Sequence, residues 1–198
     1  MIHASVHPGP GDHELLVRLT RLIESFRRPR IAVVGDLIAD EFIYGRIDRV
    51  SREAPVLILK YDSTEVTPGG AGNAAHNVAA LGGVACLVGL LGTDETGRRL
   101  ARRFPRQVVR TGLVRPAGYH TPTKTRILAG GVHSARQQVV RIDRDSQPVT
   151  REMRAQVTEA AVAAVAGCDA VIVSDYGTGL VTPSLVAALK RRLPRRGR

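Results

Sequence analysis

Two short runs of β-branched residues, each ended by an aspartate, constrain the fold of this chain most. They are Arg30-Ile-Ala-Val-Val-Gly-Asp36 and Ala170-Val-Ile-Val-Ser-Asp175. Continuous apolar runs of this length are typical of strands buried on both faces of a parallel sheet. Ligands of such sheets bind at the carboxyl ends of the strands. The runs therefore predict an α/β fold with Asp36 and Asp175 at the same edge, where Asp36 is either functional or a turn residue.

The composition agrees with this architecture. The chain has 198 residues, which suits one domain, and 43% of them are hydrophobic but only 4% aromatic. The core must therefore consist of Ala, Val, Leu and Ile, which let helices lie close to a sheet. Apolar periodicity predicts helices over about residues 12–27, 73–81 and 150–166, and a further buried strand over 84–89. The run Thr93-Asp-Glu-Thr-Gly-Arg-Arg-Leu, with acidic residues in its first turn and arginines further on, predicts the capped start of another helix.

A glycine-rich turn leads directly into the second of these helices. It reads Pro68-Gly-Gly-Ala-Gly-Asn73, so that Gly69 and Gly70 allow unusual backbone conformations and Asn73 adds a polar side chain. Such a turn can bind a polyhydroxylated or anionic ligand, but plain turn chemistry gives the same pattern. His76 follows inside the helix and is interpreted as a packed or surface residue.

Two extended segments, about residues 41–66 and 119–144, show no helical period. The first is predicted to form an antiparallel ribbon. The second contains strands over 121–128 and 137–142 and could join that ribbon. Lys124 and Arg126 alternate onto one face of its first strand.

The charge and the cysteines limit the possible partners and compartment. A formal net charge of +11 suits phosphorylated small molecules or nucleic acid, although an Arg- and Ala-rich chain can also reflect a genome of high GC content. No aromatic residues interleave the basic ones, so nucleic acid is disfavoured. Cys86 and Cys168 lie in apolar stretches and are predicted to be core residues. With no predicted signal peptide or membrane-spanning segment, we expect a cytoplasmic location.

Five motifs in order carry a resemblance to a known family. They are Val34-Gly-Asp-Leu-Ile-Ala-Asp-Glu-Phe-Ile-Tyr-Gly, Ser51-Arg-Glu-Ala-Pro-Val, the glycine turn with its helix, Gln137-Gln-Val-Val-Arg-Ile-Asp and Ser174-Asp-Tyr-Gly-Thr-Gly. Together they resemble the ribokinase-type (PfkB) sugar kinases. Within that family they are most similar to the heptose 7-phosphate kinase module of lipopolysaccharide-precursor synthesis. The resemblance runs from about Arg30 to Leu189.

The resemblance implies a Rossmann-like domain with a parallel central sheet and a small β-sheet lid that often forms the dimer contact. The two extended segments would be that lid. The family transfers the γ-phosphoryl group of ATP, with Mg²⁺, to a sugar hydroxyl, here the C1 hydroxyl of heptose 7-phosphate. The expected partners are therefore a sugar phosphate and, through the lid, a second copy of the chain.

The resemblance also implies roles for individual residues. Asp36 would bind sugar hydroxyls, and Asp40 would either touch sugar or cap a turn. Lys124 and Arg126 could contact the phosphate or form a solvated strand face. The remaining substrate-binding candidates are Gly69, Gly70 and Asn73 in the pocket, Gln138 and Arg141 at its rim, and Asp175.

Two departures from the family pattern matter. Thr178 stands where the heptose kinase motif usually has lysine, and the sequence ends at Arg198 without the Asn-x-x-Glu motif or the Gly-Ala-Gly-Asp turn that carries the general base. The resemblance thus implies no catalytic or metal-binding residue here, and little affinity for ATP or Mg²⁺. We expect an N-terminal portion, residues 1–198, of a kinase domain, truncated before its nucleotide-binding half, with an uncovered apolar sheet edge and negligible activity by itself.

Two alternatives to this interpretation stay open. One is a ribokinase-type enzyme acting on ribose, fructose or fructose phosphate. The other is a catalytically inactive remnant that serves as an interaction module.

Overall fold

The computed structural model describes residues 10–24, 28–130 and 135–193. Within these ranges the chain forms five helices and eight strands. In chain order they are α1 (Pro10–Glu24), β1 (Arg30–Gly35), β2 (Leu37–Val50), β3 (Leu57–Gly70), α2 (Ala71–Ala80), β4 (Val84–Leu90), α3 (Glu95–Arg103), β5 (Val108–Val114), β6 (Thr123–Gly130), β7 (Gln137–Arg144), α4 (Arg151–Val165), β8 (Ala170–Ser174) and α5 (Pro183–Arg192).

Four of the strands form a parallel sheet in the order β5-β4-β1-β8. Alternate side chains of β1 face opposite sides of this core sheet. Val34 packs into a cluster with α4 and α5, and Val33 into a second cluster with α2 and α3. Helices thus cover both faces, which explains why the central strands are nearly uninterrupted apolar runs. The predicted α/β fold is confirmed.

The other four strands form a mixed sheet in the order β3-β2-β6-β7, here called the lid sheet. β2 pairs with β3 in antiparallel orientation, as predicted for the first ribbon, and with β6 in parallel orientation. β6 pairs with β7 in antiparallel orientation. Because β2 begins directly after Asp36, the lid sheet leaves the core sheet at the carboxyl end of β1.

Two elements have no counterpart in the sequence prediction. β5 is an edge strand that exposes Arg110 and Thr111. Because these residues are polar, the sequence of β5 does not read as an apolar run. α5 begins at Pro183, and the Thr182 hydroxyl accepts a hydrogen bond from the Leu185 N–H. This N-cap followed by proline is a helix-start signal that the apolar pattern alone does not use.

The predicted first helix forms as α1, but it does not pack like the others. It ends at Glu24, and residues 25–27 of the predicted span lie outside the described residues. Its large apolar side chains, including Leu16 and Ile23, are exposed. Periodicity therefore predicted the helix correctly without indicating what its apolar face contacts.

Both cysteines are buried and free, so their prediction as core residues is confirmed. Burial, together with a hydrogen bond to Cys86, raises the pKa of the Cys168 thiol to about 12. His76 is exposed on α2. No helix in the described ranges is both long and apolar enough to cross a membrane.

Candidate functional site

Asp36 lies at the carboxyl end of β1, at the predicted edge of the core sheet, but its side chain is only 2% exposed. Its Oδ2 accepts a hydrogen bond from the Tyr176 N–H at 2.7 Å. Thr178 donates to the same carboxylate, from its hydroxyl to Oδ1 at 2.5 Å and from its N–H to Oδ2 at 3.4 Å. Both carboxylate oxygens are therefore engaged by the loop that follows β8.

Residues 175–179 form this loop, here called the β8 loop. Asp175 is exposed, and its Oδ1 accepts a hydrogen bond from the Gly177 N–H at 2.9 Å. Gly177 and Gly179 have φ values of 80° and 83°, in the left-handed region that favours glycine. The structure thus brings Asp36 and Asp175 to one edge, with Asp36 buried and Asp175 exposed.

The glycine turn joins β3 to α2 beside both aspartates of the β1–β2 segment. A Cβ at Gly69 would overlap Oδ2 of Asp40, and one at Gly70, whose φ is 55°, would overlap the carbonyl oxygen of Asp36. Only glycine permits this approach of the main chain. Asn73 is exposed in the first turn of α2 and forms no side-chain hydrogen bond within the described part of the chain.

One face of the lid sheet gathers five of the predicted residues, because directly paired residues of neighbouring strands share a face. The rows on this face are Asp40–Lys124–Asp143, Phe42–Arg126–Arg141 and Tyr44–Leu128–Gln138. The Lys124 ammonium lies 5.8 Å from the ring centroid of Tyr176 in the β8 loop. We therefore call this side of the lid sheet the cleft face.

The three cations of the cleft face, Lys124, Arg126 and Arg141, differ in whether a carboxylate pairs with them. Arg126 Nη1 lies 2.6 Å from Oδ1 of Asp40. Arg141 binds both oxygens of Asp143, at 2.7 and 2.5 Å; this hydrogen bonding raises the pKa of Arg141 and lowers that of Asp143. Lys124 forms no ion pair with the described residues, and its ammonium lies over the ring of Tyr176.

Two aromatic residues of the cleft face escaped the sequence prediction. The rings of Phe42 and Tyr44 stack with centroids 6.4 Å apart. The Arg126 guanidinium lies 5.4 Å from the centroid of Phe42, and that of Arg136 lies 5.2 Å from the centroid of Tyr44. Their even spacing from Asp40 along one strand was the signal that could have placed them on its face.

A polar crevice of about 330 Å³ lies beside the contact between Asp36 and Thr178. Its lining comprises Pro122, Asp145, Ser146, Gln147, Pro148, Tyr176, Gly177 and Thr178. A larger groove runs along the outer surface of α4 and α5, lined mainly by apolar groups, and shares no residue with this crevice. The crevice shares Tyr176 with the contact to Lys124, but its lining includes neither Asp40 nor Lys124, so it lies beside the cleft face and not on it.

Near the start of β2, the opposite face of the lid sheet is tied to α3. The buried Glu41 accepts hydrogen bonds from Thr125 at 2.7 Å and from Arg144 at 2.6 Å. Its other oxygen lies 3.8 Å from Arg99 on α3. This network was not predicted, since its members are distant in sequence.

The described ranges contain no group of three or more His, Cys, Asp or Glu side chains arranged to hold a metal ion. The carboxylates near the cleft are instead used in the pairs with Thr178, Arg126 and Arg141.

The sequence matches one family of known proteins. The model of the pfkB family carbohydrate kinases matches residues 28–183. The chain is 38% identical over 172 residues to the bifunctional protein HldE of Gluconobacter oxydans, covering 85% of the chain and 35% of that protein. It is 36% identical over 174 residues to the D-beta-D-heptose 7-phosphate kinase of Bordetella bronchiseptica, covering 86% of the chain and 54% of that protein. The chain thus spans about a third to a half of the length of these relatives.

Solved structures share the fold. Phosphofructokinase-2 from Escherichia coli in complex with fructose-6-phosphate matches with a TM-score of 0.59 and 17% identity, over 83% of this chain and 52% of that one. A carbohydrate kinase from Agrobacterium tumefaciens matches with a TM-score of 0.51 and 20% identity, over 73% of this chain and 45% of that one. At these identities the likeness concerns the fold alone.

Proposed function

The chain belongs to the pfkB family of carbohydrate kinases, and from this premise we propose that it forms the sugar-binding part and lid of a kinase for heptose 7-phosphate, with the C1 hydroxyl as acceptor. The relatives named HldE and D-beta-D-heptose 7-phosphate kinase support this substrate. The observation that carries the proposal is the cleft face, where Lys124, which forms no ion pair with the described residues, and the carboxylate of Asp40 lie on neighbouring strands.

A sugar phosphate presents hydroxyls and a dianion, and the cleft offers a complement to each. We assign the phosphate to Lys124, because its charge is not neutralised by an ion pair within the described residues. We assign the hydroxyls to Asp40, whose Oδ2 lies against the main chain at Gly69 while Arg126 holds Oδ1. Asp36 is the weaker acceptor, since both its oxygens are already engaged.

We assign the other candidates supporting roles at the rim. Asn73 follows the glycine turn on α2, Asp175 lies in the β8 loop, and both are exposed. Gln138 and Arg141 lie on β7, one strand further from the core than Lys124. Arg141 would have to exchange Asp143 for a ligand, so we give it a secondary role.

Family members use ATP, typically with Mg²⁺, as the phosphoryl donor. The carboxylates in the described ranges form no metal cluster, and the sequence holds no Gly-Ala-Gly-Asp turn. These residues do not fit a nucleotide site, so we derive no step of the transfer from them. We propose that the 198-residue chain by itself binds the sugar phosphate but catalyses no transfer from ATP.

Three further proposals concern the anionic partner, the cellular compartment and the oligomeric state. We propose a sugar phosphate rather than nucleic acid as the anionic partner, and the cytoplasm as the compartment, since both thiols are free. We also propose a homodimer through the lid sheet. Val140 and Ile142, 46% and 48% exposed on the face opposite the cleft, support it.

The test is a calorimetric titration of the chain with heptose 7-phosphate, unphosphorylated heptose, fructose 6-phosphate and ATP. We expect Lys124→Met to weaken heptose 7-phosphate binding about tenfold, or ~1.4 kcal/mol, and to leave heptose binding unchanged. The matched control is Lys60→Met, an exposed lid lysine that pairs with Asp48 at 2.8 Å and lies outside the cleft rows. It should bind like the unaltered chain.

The outcomes separate the alternatives. Tighter binding of fructose 6-phosphate than of heptose 7-phosphate would favour the other ribokinase-type substrates. No response to any sugar would favour the inactive interaction module. ATP turnover by the pure chain would overturn the proposal that it is inactive alone.

A further inference from the structure

Asp36 is a buried charged side chain whose partners all come from the β8 loop. The three donors are the N–H groups of Tyr176 and Thr178 and the hydroxyl of Thr178. Within the described residues no Lys, Arg or His forms an ion pair with it. A buried carboxylate needs such donors to offset its lost hydration.

Thr178 supplies the one side-chain donor of this set. Its hydroxyl lies 2.5 Å from Oδ1, a length typical of an O–H donor on a charged acceptor. The Tyr176 N–H holds the other oxygen at 2.7 Å. With one strong donor on each oxygen, the carboxylate plane has a single orientation, and the β8 loop is fixed at two points.

The fixed loop carries a residue that faces the lid. The Tyr176 ring lies beneath the Lys124 ammonium, at 5.8 Å, and next to Gly70, where its Cδ2 would contact a Cβ at 3.6 Å. Tyr176 is otherwise exposed. The contact between Tyr176 and Lys124 therefore depends on where the loop is held.

We propose that Thr178 is a positioning residue: its hydroxyl latches the β8 loop onto Asp36 and so places Tyr176 against Lys124, the cation assigned to the phosphate of the substrate. The inference rests on the proposed function. In this role Thr178 does not contact the phosphate or the acceptor hydroxyl. It fixes the position of Tyr176, and Tyr176 orients Lys124.

The experiment compares Thr178→Val, which keeps the shape of the side chain but removes the hydroxyl, with Thr178→Ser, which keeps the hydroxyl. We expect the valine variant to bind heptose 7-phosphate about tenfold more weakly and the serine variant to bind like the unaltered chain. Thr158→Val is the matched control, because among the described residues that hydroxyl bonds to the Arg154 carbonyl alone, within α4. It should change nothing.

A spectroscopic signal separates positioning from general loosening. The Tyr176 amide proton, hydrogen-bonded to Asp36, should shift upfield in Thr178→Val and return in Thr178→Ser. A double-mutant cycle with Tyr176→Ala provides a second route if the valine variant folds poorly. Tyr176→Ala alone should weaken binding about as much, and the pair of substitutions should cost no more than either one.

Failure of the inference can be told from failure of the proposed function. If the unaltered chain does not bind heptose 7-phosphate, the proposed function fails and the inference falls with it. If it binds and Thr178→Val binds equally well, or serine fails to rescue, or the Tyr176 and Thr178 effects add, the proposed function stands and the positioning role is overturned.

Discussion

Asp36 and Asp40 are four residues apart and carry the same side chain, yet the structure gives them opposite surroundings. Asp36 is enclosed by the β8 loop, whereas Asp40 lies partly open on the cleft face beside Arg126. The sequence places both near the carboxyl end of β1 but does not separate them. What separates them is Thr178, more than a hundred residues further along the chain.

The glycine turn gives a residue-scale prediction. Gly70 combines a φ of 55° with a Cβ position that overlaps the Asp36 carbonyl, while Gly82, with a φ of 86°, has open space around it. Gly70→Ala should therefore lower the free energy of unfolding by at least ~2 kcal/mol more than Gly82→Ala. Urea denaturation of the two variants measures the difference, and equal losses would show that the overlap relaxes without cost.

At the scale of elements, the N-terminus of α3 does more than cap a helix. Asp94 Oδ1 accepts hydrogen bonds from the Gly97 N–H, the Thr121 N–H and, at 2.7 Å, the Thr121 hydroxyl. It thus joins α3 to the segment that enters β6. A helix cap without such a link to another segment is the comparison that isolates its contribution to stability.

Asp94→Ala should cost ~2–4 kcal/mol of stability, because the cap and the link to Thr121 are lost together. Thr150→Ala is the matched control, since in the described ranges that hydroxyl accepts a hydrogen bond from the Met153 N–H alone, at the start of α4. It should cost ~1 kcal/mol. Thermal or urea unfolding compares them; similar losses would contradict a structural link through Asp94.

The strands of the core sheet show which strands can be predicted from a sequence. β1, β4 and β8 were predicted because each reads as an apolar run. β1 and β4 are largely buried as expected, whereas β8 is an edge strand whose residues are exposed or half-buried, so the prediction that it is buried on both faces is wrong. β5, the other edge strand, was missed because Arg110 and Thr111 interrupt its apolar pattern.

At the scale of the whole molecule, the core sheet has an open side. In the part of the chain that the structure describes, β8 pairs with β1 alone, and Ile172 and Val173 on it are each 39% exposed. Such an edge is a site of self-association.

Ile172→Lys should reduce the soluble aggregates of the purified chain several-fold, because a charge on an edge strand opposes pairing with another edge. Leu81→Lys adds the same charge at a residue 68% exposed at the end of α2, away from any sheet edge. Light scattering at equal concentrations compares them. An equal reduction by both variants would point to net charge instead of the edge.

Alkaline stability is a second whole-molecule property. The pKa of Cys168 is raised from about 9.0 to about 12, first by burial. Between these values the native thiol keeps its proton while the unfolded thiol loses it, so stability falls as pH rises. Relative to Cys168→Ala, the native chain should lose a fraction of the limiting ~1.4 kcal/mol per pH unit above about pH 9. Parallel pH profiles would contradict the raised pKa.

The sequence by itself determined three of the four parallel core strands, the glycine turn and the shared face of Lys124 and Arg126, because each follows from the local order of side chains along one segment. Only the tertiary structure decided that Arg126 and Arg141 form ion pairs while Lys124 forms none with the described residues, and that Asp36 is enclosed. Apart from the adjacent pair Arg141 and Asp143, these outcomes depend on strand register and loop contacts between residues far apart in the chain. Local periodicity carries no information about such contacts.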